Sequence, residues 1–172
     1  MSEEKPMSDQ TNVEAVQQGY AALGRGDIPA LLSLMTDDVE WSLQGPSVIP
    51  WAGTRHGREG VAEFFALLGE TLEFQRFEPR EFVAQGGTVV VLGYERSLAK
   101  PTGRSFEQEW AHVYTLRDGK IAKGRFFEDT AAQVVAFGAP QEGGRASSDA
   151  AGGKTAGTEM GPEAAPAQPT GA

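Results

Sequence analysis

Cysteine is absent from the 172 residues of the chain, and histidine occurs only twice. Without cysteine, neither a disulfide framework nor a thiolate metal site can form, which is typical of proteins from a reducing cytoplasm. His56 and His112 lie far apart, without HxH or HxxxH spacing, so no metal site is predicted. Gly86-Gly87 does not precede a helix, so no phosphate loop is predicted. We therefore expect a cytoplasmic protein without a metal or cofactor.

Long apolar runs and an excess of positive charge are missing as well. No stretch approaches the roughly 20 apolar residues that a membrane-spanning helix needs. The first ten residues are polar and acidic, unlike a signal peptide. The net charge of −9 argues against nucleic acid or an anionic membrane as the main partner, because both need clustered lysine and arginine.

Helical periodicity marks the first half of the chain. The spacing of Thr11 and Glu14 is that of a capping box and predicts a helix beginning at residue 11. Asp27 is expected to cap a second short helix, and a third is predicted over about 58–72. A brief strand, 38–43, lies between them, and residues 44–56 are predicted to form a packed loop over the domain.

Strands dominate the second half of the domain, with runs predicted at about 73–78, 80–85 and 88–98. A hairpin from Ser105 to Asp129 comes next, and a short helix over 130–137 closes the domain. Helices followed by antiparallel strands predict an α+β fold, in which a curved sheet covered by helices encloses a cavity.

Composition divides the chain into three parts. Residues 1–10 are predicted to be a disordered leader, and residues 11–137 a single domain. Residues 138–172 are rich in Gly, Ala, Pro and Ser and show no apolar periodicity, so a disordered tail is predicted there.

One face of the first hairpin strand carries side chains that are unusual for a core. Gln108, Trp110, His112 and Tyr114 alternate along the sequence, so in a strand they share a face. A core strand would favour Val, Ile and Leu, because each buried polar group needs a partner. We interpret this face as the wall of a pocket; a polar stripe facing solvent is the alternative.

Several short motifs together resemble a known family over residues 12–137. They are Gly26–Ile28, Thr36–Trp41, the pair Gly53 and Gly57, Trp110–Ile121 and Glu128–Ala131. Because of the order and spacing of these motifs, the chain resembles the SnoaL-like, ketosteroid-isomerase-related branch of the nuclear transport factor 2 superfamily. The resemblance implies a cone-shaped, cystatin-like barrel in which about three N-terminal helices wrap a curved antiparallel or mixed sheet. It also implies an internal pocket and, commonly, a homodimer packed through the sheet.

The resemblance also suggests roles for single residues. Tyr20 matches the tyrosine that donates to the developing oxyanion in steroid isomerases, and His112 falls on the position of their protonated aspartate. Their general base would fall near Ser42 or Leu43, and neither can abstract a proton from carbon. Phe126 stands where the limonene-epoxide-hydrolase branch has its second aspartate. The chain is therefore not expected to use the mechanism of the steroid isomerases or that of the limonene-epoxide hydrolases.

His112 is the principal candidate for a catalytic group, because imidazole titrates near neutral pH. Glu128 and Asp129 point to opposite faces of their strand, so only one can orient it. A two-residue turn would pair His112 with Arg125 and place Asp129 on the His112 face, and a three-residue turn with a glycine bulge would pair it with Gly124 and place Glu128 there. Asp129 also fits the N-cap of the last helix. The alternative is a core histidine bonded to a neighbouring strand or to Tyr20.

The direction of the pKa shift of His112 is expected to separate these alternatives, with a carboxylate partner raising the pKa and a core position lowering it. The predicted apolar lining consists of Trp41, Trp51, Phe65, Trp110, Tyr114 and Phe126. We predict a protein that binds a small hydrophobic, cyclic molecule, with cofactor-free isomerase, cyclase or hydrolase chemistry. The alternative is a ligand-binding or dimer-scaffolding module without turnover.

Overall fold

The structure, a computed structural model, describes residues 8–138, which form four helices and one six-stranded sheet. The helices are α1 (Asp9–Gly24), α2 (Ile28–Ser33), α3 (Gly57–Thr71) and α4 (Thr130–Phe137). The strands are β1 (Met35–Leu43), β2 (Gly53–His56), β3 (Leu72–Gln85), β4 (Thr88–Ala99), β5 (Arg104–Arg117) and β6 (Lys120–Phe127). The sheet is curved and unclosed, in the order β2-β1-β6-β5-β4-β3. Only the β1–β6 pair is parallel within the described residues. The predicted α+β class is confirmed.

Two strand predictions need correction. Residues 53–56, predicted as the end of a loop, form β2 and pair with β1. The runs 73–78 and 80–85 are one strand, because β3 continues past Pro79 with a register shift rather than a turn. Residues 44–52 do form a loop, and its Ile49 and Trp51 are buried in the core, as expected of a packed segment.

Helix ends confirm two predicted caps and correct a third. The side chains of Asp27 and Asp129 accept hydrogen bonds from the backbone N–H groups of Ala30 and Ala132, each at 3.0 Å. The capping box at Thr11 is wrong, because α1 begins at Asp9 and Ser8 caps it.

The domain boundaries remain predictions. Residues 9 and 10 of the predicted leader belong to α1, whereas residues 1–7 and the predicted tail from residue 139 onward lie outside the described residues. No helix between residues 8 and 138 is long and apolar enough to cross a membrane.

Two tryptophans lie over glycines of the neighbouring strand on the inner face of the sheet. Trp110 is paired with Gly93, and Trp41 with Gly124. A Cβ atom at Gly93 would lie 2.2 Å from Cζ2 of Trp110, and one at Gly124 would lie 2.7 Å from Cε3 of Trp41. These glycines therefore make room for the large rings that build the inner wall.

Candidate functional site

The β5–β6 hairpin turns through two residues. Asp118 and Gly119 both have positive φ, at 52° and 78°, and Arg117 pairs with Lys120 across the turn. This is the geometry of a tight hairpin turn whose twist matches that of the strands.

An irregularity just after this turn decides which carboxylate meets His112. Ala122 is an extra residue in β6, because Leu116 pairs with Ile121 but Thr115 pairs with Lys123. The extra residue shifts the alternation of faces by one position along the rest of the strand.

His112 consequently pairs with Phe126, whereas the two predicted turns paired it with Arg125 or Gly124. Both predicted pairings are wrong. The face predicted from the three-residue turn is nevertheless the one observed, since Phe126 and Glu128 lie on the His112 side.

A row of hydrogen bonds runs through His112. Its Nε2 lies 3.2 Å from Oε1 of Glu128, and its Nδ1 lies 2.9 Å from the hydroxyl oxygen of Tyr20. The hydroxyl groups of Tyr20 and Tyr114 are 2.8 Å apart. The row joins α1, β5 and the end of β6, so three separate elements position it.

Burial controls the protonation of this row. It lowers the pKa of His112, and the Glu128 carboxylate, which acts in the opposite direction, offsets only part of the effect. Burial also raises the pKa values of Tyr20 and Tyr114. With a neutral imidazole and neutral phenols, Nε2–H donates to Glu128 and the Tyr20 hydroxyl donates to Nδ1.

A carboxylate partner and a lowered pKa therefore occur together at His112. The expectation that the direction of the shift would separate a catalytic from a structural histidine is wrong, because desolvation outweighs the partner. The proximity of Glu128 to His112 carries the argument instead.

A cavity of about 60 Å³ adjoins this row. Five of the six predicted lining residues contact it, namely Trp41, Trp51, Phe65, Tyr114 and Phe126. Trp110 does not line it but stacks on the imidazole of His112, with ring centroids 3.9 Å apart.

The cavity is too small for a ring-sized ligand as it stands. Cavities of roughly 150 Å³ accept benzene, so such a ligand requires wall side chains to move. Phe74 lines the cavity and is 43% exposed, which makes it the candidate for such a movement.

Asp129 does not share this site. Its side chain is exposed and caps α4, while its backbone N–H donates to Oε1 of Gln108 at 3.0 Å. Of the two candidate carboxylates, only Glu128 lines the cavity. Its side chain is 13% exposed.

A second carboxyl group, which sequence reasoning missed, also lines the cavity. Glu95 lies on β4, with its Oε1 2.5 Å from the hydroxyl of Ser97. Nε2 of Gln108 donates to Oε2 of Glu95 at 2.8 Å and lies 3.4 Å from Oε2 of Glu128. Nε2 of Gln133 donates to the same Glu128 oxygen at 2.5 Å. One amide thus links both carboxyl groups.

Burial and the charge of Glu128 raise the pKa of Glu95 to about 7. A signal for this residue was present in the sequence. Glu95 alternates with Val89, Val91 and Gly93, which form the inner face of β4, and a carboxyl group at the next inward position marks a buried charge. Within residues 8–138, no group of three or more His, Asp and Glu side chains could hold a metal ion.

Comparison with known proteins gives one family model and several similar proteins. Residues 16–124 match the SnoaL-like domain. A crystal structure of an NTF2-like protein from Burkholderia xenovorans is 39% identical, covering 76% of this chain and 98% of that one, with a TM-score of 0.71. TerC, co-crystallized with polyporic acid, is 33% identical over 75% of this chain and 99% of its own, with a TM-score of 0.67. An uncharacterized protein from Mycobacterium tuberculosis is 28% identical, covering 73% of this chain and 95% of its own length.

Proposed function

The chain belongs to the SnoaL-like family, and on this basis we propose that its cavity binds a small hydrophobic cyclic molecule on which Tyr20, His112 and Glu128 perform cofactor-free acid–base chemistry. The observation that carries the proposal is the hydrogen-bonded row from Tyr20 through His112 to Glu128 at the wall of a mainly aromatic cavity. The co-crystallization of the related TerC with polyporic acid supports a small-molecule ligand.

The row can take a proton from the ligand and later return it, so its charge is restored only at the end of the cycle. When the Tyr20 oxygen takes a proton from a carbon atom of the ligand, its own hydroxyl proton passes to Nδ1 of His112, 2.9 Å away. The imidazolium that forms is stabilised by the Glu128 carboxylate at Nε2. Return of the proton through Tyr20 to a different ligand atom completes an isomerisation.

A deuterium-exchange experiment tests this proposal. With 2-tetralone, an enolisable two-ring ketone, as the probe, the protein should accelerate exchange of the α-hydrogens in D₂O, followed by proton NMR. His112→Gln should slow the protein-dependent rate by roughly 100-fold, within the usual range for a general acid–base residue. Its dissociation constant for 2-tetralone should change by less than about threefold, because the substitution preserves polarity.

His56→Gln is the matched control, since His56 is exposed and does not line the cavity. It should behave like the unaltered protein. If the unaltered protein binds 2-tetralone but exchanges its hydrogens no faster than buffer does, the chain is a binding module and the catalytic part of the proposal is wrong.

The outer face of the sheet supports a homodimer. Leu92, Ala111 and Phe127 lie side by side across β4, β5 and β6. Leu92 is 41% and Phe127 55% exposed, and Val83 on β3 adds a further exposed apolar side chain. Burying this face against a second copy would remove the apolar surface from water. We propose a dimer packed through it.

Phe127→Asp should raise the dimer dissociation constant at least about 100-fold, because it replaces an exposed apolar ring of the proposed interface with a charge. Light scattering at micromolar concentration should give twice the chain mass of 18.3 kDa for the unaltered protein and a single chain mass for the variant. Val135→Asp, an exposed apolar position on α4, is the control and should remain dimeric. A monomeric unaltered protein would refute the dimer.

A further inference from the structure

We propose that Glu95 is a second acid–base residue of this cavity, a carboxylic acid that donates a hydrogen bond to a carbonyl oxygen of the bound molecule. The ligand is accordingly a cyclic carbonyl compound. This inference rests on the proposed function and adds to it the class of substrate and the group that recognises it.

Two carboxyl groups face the cavity, and the described residues place no cation between them. Glu95 and Glu128 line one cavity, and Nε2 of Gln108 lies within 3.4 Å of both. Among the described residues, no lysine or arginine lines this cavity. The other titratable groups that line it are His112, Tyr20 and Tyr114, which carry no charge near neutral pH. Two carboxylates without a cation repel each other, so one of them retains its proton.

Of the two carboxyl groups, Glu95 is the one that retains its proton. Glu95 is 3% exposed, whereas the Glu128 side chain is 13% exposed and receives hydrogen bonds from Gln133 and His112. Burial and the charge of Glu128 raise the pKa of Glu95 to about 7, although the hydrogen bonds from Ser97 and Gln108 act in the opposite direction. Ser97 and Gln108 each bind one of its oxygens and so hold the carboxyl group in a single orientation.

The cavity combines an acid with a base. Below about pH 7 Glu95 holds its proton, and burial favours the neutral form of His112, so a single cavity presents both a donor and an acceptor. Removing a proton from carbon becomes easier when the adjacent carbonyl oxygen receives a hydrogen bond, because the developing enolate charge is stabilised. The pairing of Glu95 with the Tyr20–His112 row is therefore suited to a ketone that enolises.

Infrared spectroscopy of bound 2-tetralone, labelled with ¹³C at its carbonyl, tests the inference. At pH 5.5 the C=O stretch should lie at lower frequency than in buffer, and at pH 8.5 most of this shift should disappear, because ionised Glu95 no longer donates. Affinity should fall by roughly tenfold over the same pH range, as expected for one hydrogen bond. In Glu95→Gln, frequency and affinity should be independent of pH, since the amide does not titrate.

Glu109→Gln, at an exposed position on β5, is the matched control and should reproduce the pH dependence of the unaltered protein. Should Glu95→Gln fail to fold, the carbonyl frequency in the unaltered protein at the two pH values still decides between the outcomes. A frequency that is the same at both pH values, or no binding of 2-tetralone at either, overturns the inference.

The two experiments distinguish failure of the proposed function from failure of the role proposed for Glu95. A pH-independent carbonyl frequency together with rapid, His112-dependent exchange would leave the proposed function standing without Glu95. A pH-dependent frequency in a protein whose exchange does not depend on His112 would support Glu95 as a ligand-binding acid and contradict the proposed proton relay.

Discussion

Replacing Gly93 with alanine is expected to lower the free energy of unfolding by roughly 3 kcal/mol, the upper end of the usual effect of overpacking. The added Cβ would lie 2.2 Å from Cζ2 of Trp110, much closer than two carbon atoms approach in a folded protein. The indole cannot move away easily, because it stacks on His112 at 3.9 Å and on Phe77 at 5.1 Å. Displacing Trp110 would therefore also disturb the candidate site.

Urea denaturation of the unaltered protein and the variant measures this effect. Gly69→Ala provides the matched control, because Gly69 lies within α3 and a Cβ there would meet no atom within 4 Å. It should stabilise the protein by up to about 1 kcal/mol through helix propensity. Measured in a Trp110→Val background, Gly93→Ala should cost less, because the small side chain leaves room for the added Cβ. A Gly93→Ala variant within about 1 kcal/mol of the unaltered protein would contradict the close packing of Trp110 on this glycine.

The second large effect concerns pH. The pKa of Glu95 is about 7 in the folded protein and about 4.5 in the unfolded chain. Between these values the unfolded chain releases the proton first, so the free energy of unfolding should fall as pH rises. At about 1.4 kcal/mol for each pH unit, the loss from Glu95 approaches 3 kcal/mol by pH 7.5. This contribution to stability is fully present below pH 4.5 and is lost as pH rises through 7.

The difference between the unaltered protein and Glu95→Gln isolates this contribution, because all other groups titrate in both. Relative to the variant, the unaltered protein should be less stable at pH 7.5 than at pH 4.5 by about 3 kcal/mol. His112 acts in the opposite direction, since its lowered pKa reduces stability as pH falls below its ordinary value of 6.5, and it cancels in the comparison. Parallel stability curves for the two proteins would show that Glu95 is ionised in the folded state.

Local signals in the sequence were sufficient for the four helices and for two of their caps, but not for β2, which was predicted as loop, or for the continuity of β3. The alternation of Trp110, His112 and Tyr114 placed three rings on one face of a strand, and the structure buries Trp110, His112 and Tyr114 on that face. Asp27 and Asp129 were recognised as caps because a capping side chain bonds a backbone N–H only three residues away. Such signals need no knowledge of the rest of the fold.

The partner of His112 could not be decided in this way. The choice between Glu128 and Asp129 depends on the parity of residues along β6, and the extra residue Ala122 reverses that parity. Nothing in the local sequence near Ala122 marks an irregularity. It forms where pairing with both β1 and β5 must be satisfied at once, which is a property of the assembled sheet.

By itself, then, the sequence determined the α+β class, the order of the four helices and the face that bears His112, because periodicity and capping act over a few residues. Only the tertiary structure decided that Glu95 and Glu128, 33 positions apart, share one amide from Gln108. Their proximity shifts the pKa of Glu95, and an electrostatic effect of this kind depends on distance through space and on burial. Both quantities exist only once the sheet has folded around the cavity.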